Sequence, residues 1–148
     1  MINYFLDTSA LFKRYIKEAG SDNVASLFER QARFTIASLT ISEVLANLRR
    51  LVDVDKLLDD GEYARLKSLF LGDISDGFLD VVEVTTSIIL ESAEIVSKRF
   101  LTPIDSIQLA TALLANDGED LIFVCADDRL CQRATAEGLK VYNPLKPD

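Results

Sequence analysis

The chain has 148 residues, 24 acidic against 16 basic side chains, a formal charge of −8, and no histidine. The missing imidazole excludes serine–histidine and cysteine–histidine catalysis, histidine acid–base ribonuclease chemistry and histidine-ligated zinc. The two cysteines, Cys125 and Cys131, match no redox or zinc spacing and the glycines form no phosphate loop, so chemistry here rests on carboxylates, hydroxyls, amides and a metal.

Residues 2–6, Ile-Asn-Tyr-Phe-Leu, predict a buried strand, followed by a helix over 9–18. Gly20 ends that helix, and Ser21 or Asp22 caps a second one reaching 31. A short strand over 33–37 precedes a helix over 41–52, where Ile41, Val44, Leu45 and Leu48 recur at helical spacing. Another helix covers 60–71, and its apolar stretch 66–71 is a candidate surface for self-association. A strand over 78–84 leads to a helix capped by Thr86 or Ser87 and running to 100. Pro103 opens the next helix, to 115, in the first turn where its missing N–H costs nothing. A strand over 121–126, a helix over 129–137 ended by Gly138, and a strand over 139–142 complete the order. Strands alternating with helices specify an α/β fold with three layers, α/β/α, around a central, mainly parallel sheet of about five strands. No linker or low-complexity tract divides the chain, so residues 1–148 are expected to form a single domain. A first strand starting at Ile2 leaves no room for a signal peptide, and the apolar runs are too short for a membrane span, so a cytoplasmic location is expected.

Four acids, Asp7, Glu43, Asp105 and Asp127, each stand where one of these helices is expected to begin. Each also suits a helix start for structural reasons. Thr40-Ile-Ser-Glu43 has the form of a capping box, Asp105 lies three residues beyond Thr102, and Asp7 and Asp127 are plausible N-caps. In a parallel sheet, however, strand carboxyl ends and helix amino ends share one rim, where open α/β folds bind ligands. Two carboxylates about 4 Å apart repel by on the order of 4 kcal/mol at an effective dielectric of about 20, so acids gathered there call for a hard cation. Asp128, beside Asp127, leaves the register of the last acid open by one residue. Glu43, Asn47 and Arg50 share one helical face and, with Lys13 and Lys17, are candidates for phosphate contact. The net charge argues against a large non-specific nucleic-acid footprint and suits a basic protein partner.

The phrases Leu-Asp-Thr-Ser-Ala-Leu (6–11), Ser-Glu-Val (42–44), Pro-Ile-Asp-Ser-Ile-Gln-Leu-Ala-Thr-Ala-Leu (103–113), Ala-Asp-Asp-Arg-Leu (126–130) and Ala-Glu-Gly-Leu-Lys-Val-Tyr-Asn-Pro (136–144) together resemble PIN-domain proteins. More narrowly, they resemble VapC-like toxins of toxin–antitoxin pairs. The resemblance runs over nearly the whole chain in the right order. It implies a parallel sheet that gathers Asp7, Glu43, Asp105 and Asp127, and a Mg²⁺- or Mn²⁺-dependent endoribonuclease. It also implies a homodimer, an RNA substrate and inhibition by a cognate, VapB-like antitoxin. Asp7, Asp105 and Asp127 are then the expected metal ligands, and Glu43 ligates or positions the attacking water. Thr8, Ser9, Asn47, Arg50 and Asp128 are the candidates for supporting or substrate contacts. Two other readings compete: a PIN-like module that binds a partner without catalysis, and an acidic-pocket Mg²⁺-dependent phosphatase. Ser9 stands where the second acid of a phosphatase D-x-D would be.

Overall fold

The structure is a computed structural model that describes residues 1–118 and 120–147. Its elements run β1 (Ile2–Leu6), α1 (Thr8–Tyr15), α2 (Ser21–Phe28), β2 (Arg33–Ala37), α3 (Ser38–Asp53) and α4 (Asp60–Ser75). They continue as β3 (Asp80–Val82), α5 (Thr86–Lys98), α6 (Pro103–Ala115), β4 (Asp120–Val124), α7 (Asp128–Ala136) and β5 (Lys140–Tyr142). The five strands form one sheet in the order β3-β2-β1-β4-β5, every neighbouring pair parallel. This is the α/β architecture expected from the alternation of elements.

Side chains alternate across the sheet with the strand period of two. Tyr4 and Leu6 of β1 join Phe34 and Ile36 of β2, Leu11, Val44, Leu48 and Phe70 in one buried core. Phe5 faces the other way, stacks on Phe123 with ring centroids 6.0 Å apart, and joins Ile88, Ile95, Leu109 and Leu130 in a second core. The first core lies under α1 to α4 and the second under α5 to α7. Each fully buried Leu, Ile or Phe side chain contributes about 1.5–3 kcal/mol, so both faces of the sheet are held mainly by apolar burial.

The strand order places the site. From β1 the chain moves outward through β2 and β3 to one edge, then returns to β4 on the opposite side of β1 and ends at β5. The connections leaving β1 and β4 therefore diverge, which opens a crevice at the carboxyl ends of these two strands. β1 and β4 pair along their full length, from Ile2 with Asp120 to Leu6 with Val124, so their ends are level.

Several boundaries differ from expectation. α1 ends at Tyr15, because Ile16 is already extended. α3 begins at Ser38, directly after β2, with Ala37 as a cap that has no side-chain acceptor. The expected Thr40–Glu43 capping box is therefore absent: Thr40 is buried inside the helix, and Glu43 sits in its second turn rather than at its start. α4 extends to Ser75 under a true capping box made by Asp59 and Glu62. Leu66 and Phe70, from the stretch expected to be a contact surface, are core residues. β3 is only three residues long. Gly20 caps α2 with φ of 87°, and a Cβ there would lie 3.1 Å from Leu145 and 3.2 Å from the Pro144 carbonyl oxygen. Among the described residues no helix is long and apolar enough to cross a membrane.

Candidate metal centre

Asp7 is the residue after β1, and its backbone N–H donates to the Val124 carbonyl (3.0 Å), extending the β1–β4 ladder to the rim. As N-cap of α1 it accepts from the Ala10 N–H at 3.0 Å. The Ser9 hydroxyl donates to both carboxylate oxygens (2.8 and 3.0 Å) while accepting from the Ala126 N–H at 3.2 Å, which ties the end of β1 to the loop after β4. Only 4% of Asp7 is exposed. Burial raises its pKa to about 6 against the lowering effect of the Ala10, Ser9 and Cys125 hydrogen bonds, and the charge of Asp105 raises it further.

Asp105 lies in the first turn of α6, where the Thr102 hydroxyl caps its backbone N–H. Burial pushes the Asp105 carboxyl up as well, Thr102 offsets part of that, and the charge of Asp127 adds to it. Asp127 caps α7 by accepting from the Leu130 N–H at 3.0 Å. Glu43 arrives from α3, where its Oε1 accepts from the Thr8 hydroxyl (2.7 Å) and from the Gln108 amide nitrogen (3.2 Å). All four acids line one cleft of ≈ 190 Å³ together with Thr8, Ser9, Asn47, Ile104 and Gln108. Capping and convergence therefore coexist: three of the acids hold helix starts while lining the cleft.

The supporting candidates divide. Thr8, Ser9 and Asn47 line the cleft. Asp128 does not; it is exposed and bound to Lys146 (2.9 Å) and Asn143 (3.3 Å) on the C-terminal tail, which leaves Asp127 as the acid at the cleft. Arg50 is exposed, lies 3.9 Å from Asp55 and is not part of the cleft lining. Lys13 is buried against Glu18 at 3.2 Å in a different depression, away from the acids.

Three residues at the site carried no functional signal in the sequence. Gln108, 1% exposed on α6, donates to Thr40 (2.7 Å), Thr8 (3.1 Å) and Glu43, and so fixes the inner oxygen of Glu43. Its own amide oxygen is buried with no hydrogen-bond partner among the described residues. Thr40 completes that network. The Cys125 thiol, which matched no redox or zinc spacing, lies beneath Asp7 and accepts from the Asp127 N–H at 3.3 Å. Its hydrogen bond with Cys131, its burial and the Asp7 charge push it far up, so it stays protonated.

As placed, no three acidic or thiol groups among the described residues already enclose an ion. The donor set nevertheless fits a hard divalent cation. It consists of carboxylates backed by hydroxyl and amide oxygens, two of the acids are desolvated and repelled by a neighbour, and the cleft leaves room for an ion that keeps waters of its own. Asp7, Asp105 and Asp127 are the side chains that would hold it.

A search of the curated proteins found none that matches by sequence. Among solved structures the chain is similar to FitAcB from Neisseria gonorrhoeae, with TM-score 0.68 and 18% identity over 97% of this chain and 98% of that one. It is similar to VapBC2 from Rickettsia felis bound to a DNA fragment from their promoter, with TM-score 0.65 and 15% identity over 97% and 98%. A toxin–antitoxin complex from Klebsiella pneumoniae matches with TM-score 0.65 and 16% identity over 95% and 97%. At such identities these likenesses speak for the fold. The model of the PIN domain matches residues 4–136, from β1 to the end of α7, and the chain belongs to the PIN domain family.

Proposed function

We propose that this chain is a VapC-like endoribonuclease that hydrolyses RNA phosphodiester bonds with a divalent cation, Mg²⁺ or Mn²⁺, held by Asp7, Asp105 and Asp127. The observation that carries this reading is the convergence of four carboxylates at the β1–β4 switch point, with Asp7 so desolvated that its pKa reaches about 6. When bound, the cation supplies an activated water and neutralises charge on the phosphodiester. Ser9 orients the Asp7 carboxylate through both oxygens. Thr8 and Gln108 hold Glu43 by one oxygen, leaving the other to accept the proton of the attacking water. Asn47, four residues along the same helix, donates to the scissile phosphate.

The toxin–antitoxin solved structures support a partner of the same kind, a cognate VapB-like antitoxin that inhibits the enzyme in the cytoplasm. Homodimer formation is part of the proposal, and the exposed apolar side chains Ile89, Leu90 and Leu114 on α5 and α6 support it better than the 66–71 stretch does. The test is cleavage of single-stranded RNA by purified protein with Mn²⁺ and with EDTA. Cleavage should require the metal and fall roughly 10²–10³-fold in Asp7→Asn. Full activity in that variant would sink the proposal. Hydrolysis of small phosphoesters without RNA cleavage would favour the phosphatase, and no metal uptake in calorimetry would favour the binding module.

A further inference from the structure

Beside the acids lies a groove of a different character. One face of α7, formed by Arg129, Gln132, Arg133 and Ala136, meets the α5–α6 connection at Arg99 and Phe100 around a depression of ≈ 410 Å³. Its lining contains no carboxylate, on a chain whose formal charge is −8. Arg133 is committed to the fold: it pairs with Glu137 at 3.2 Å and donates to the Arg99 carbonyl (2.9 Å) and the Ile95 carbonyl at the end of α5. Arg99 and Arg129 are exposed, and their guanidinium groups have no hydrogen-bond or ion-pair partner among the described residues. Phe100 is 68% exposed, in a chain whose other described phenylalanines are buried or half-buried.

The groove adjoins the cleft along the chain on both of its sides. Arg129 is two residues past Asp127, and Phe100 is two residues before Thr102, the cap of the helix that carries Asp105. An anionic strand meets repulsion at four carboxylates and across most of this surface, so it needs a cationic foothold next to the cleft. Guanidinium groups beside an exposed aromatic ring provide the two contacts single-stranded nucleic acid uses: phosphate pairing and base stacking.

We infer that the Arg99–Phe100–Arg129 groove binds single-stranded RNA next to the acidic cleft, with Arg99 and Arg129 on phosphates and Phe100 under a base. The choice of RNA rests on the nuclease reading, whereas binding itself does not require turnover. The test is fluorescence anisotropy of a labelled oligouridylate with the full chain in EDTA, in parallel with Mn²⁺-dependent cleavage by the wild type. R99A/R129A should weaken binding roughly tenfold at low salt and flatten the slope of log K against log salt by about 1.4, which corresponds to about two single-strand phosphate contacts. F100A should weaken it by roughly tenfold with the slope retained. Arg65→Ala, on α4 across the sheet, should bind as the wild type does. If R99A/R129A binds like the wild type while the wild type cleaves RNA, the groove is wrong and the nuclease reading stands. If binding depends on the groove but no RNA is cleaved, the groove stands and the nuclease reading falls. Binding of polyglutamate in place of oligouridylate would overturn the inference in favour of an acidic peptide.

Discussion

Asp7 is charged at neutral pH at an energetic cost, and that gives the site a measurable signature. Its carboxyl holds a proton up to about pH 6 in the folded chain, against an ordinary value of 3.8 when unfolded. The folded state thus binds the proton more tightly, so stability is lost as pH rises through that window and stays lost above it. Without a cation the cost near neutral pH is about 3 kcal/mol, from a shift of roughly two units in a nearly inaccessible group. Asp7→Asn keeps an N-cap acceptor and removes the charge. Urea unfolding in EDTA should find it roughly 2–3 kcal/mol more stable than the wild type near pH 7.5, with the gap closing toward about pH 4. A less stable variant at pH 7.5 would contradict the electrostatic picture. Gln108 makes a second prediction at this scale. Gln108→Met removes the donor that fixes Glu43 but also the orphaned amide oxygen, whose burial costs about 1–3 kcal/mol. Stability should change by less than about 1 kcal/mol while RNA cleavage falls at least roughly tenfold; unchanged cleavage rates would show that Glu43 needs no such support.

Among the elements, helix starts were the most legible feature of the sequence and also the place where reading it alone misled. Asp7, Asp105 and Asp127 cap or open helices as their positions suggested, because local capping chemistry is written in neighbouring residues. Thr40 and Glu43 form a capping box in the sequence but not in the fold, since α3 starts at Ser38 as soon as β2 ends and the Ser38 hydroxyl accepts from the Val84 N–H instead. The Gln108 network was invisible for a related reason: its partners Thr40 and Thr8 are 68 and 100 residues away, so only the sheet order brings them together. Gly20 is a third case, where the glycine looked like a plain stop. Its left-handed φ and the nearby Leu145, Lys13 and Pro144 mean that Gly20→Ala strains the backbone and crowds the returning C-terminal tail. Chemical denaturation should show a loss of about 1–3 kcal/mol, and a neutral substitution would mean that this junction yields easily.

For the whole molecule, alternation of strands and helices made the layers and the parallel sheet readable, but not the strand order. The order β3-β2-β1-β4-β5 is what levels Asp7 with the loop after β4 and makes a shared cleft from residues spread over the chain. A cation bound there should stabilise only the folded state, by RT ln(1 + [L]/Kd), or about 2.7 kcal/mol at a hundredfold excess over Kd. Mn²⁺ should therefore raise the unfolding temperature of the wild type and leave that of Asp7→Asn nearly unmoved; equal shifts in both would place the ion elsewhere. The most direct measurement is anomalous scattering from crystals of the full chain grown with Mn²⁺. The predicted result is a manganese peak in the cleft within ligand or one-water reach of Asp7, Asp105 and Asp127. A well-ordered crystal with those three carboxylates facing an ion-free cleft at millimolar Mn²⁺ would contradict the assignment of this rim as a metal site.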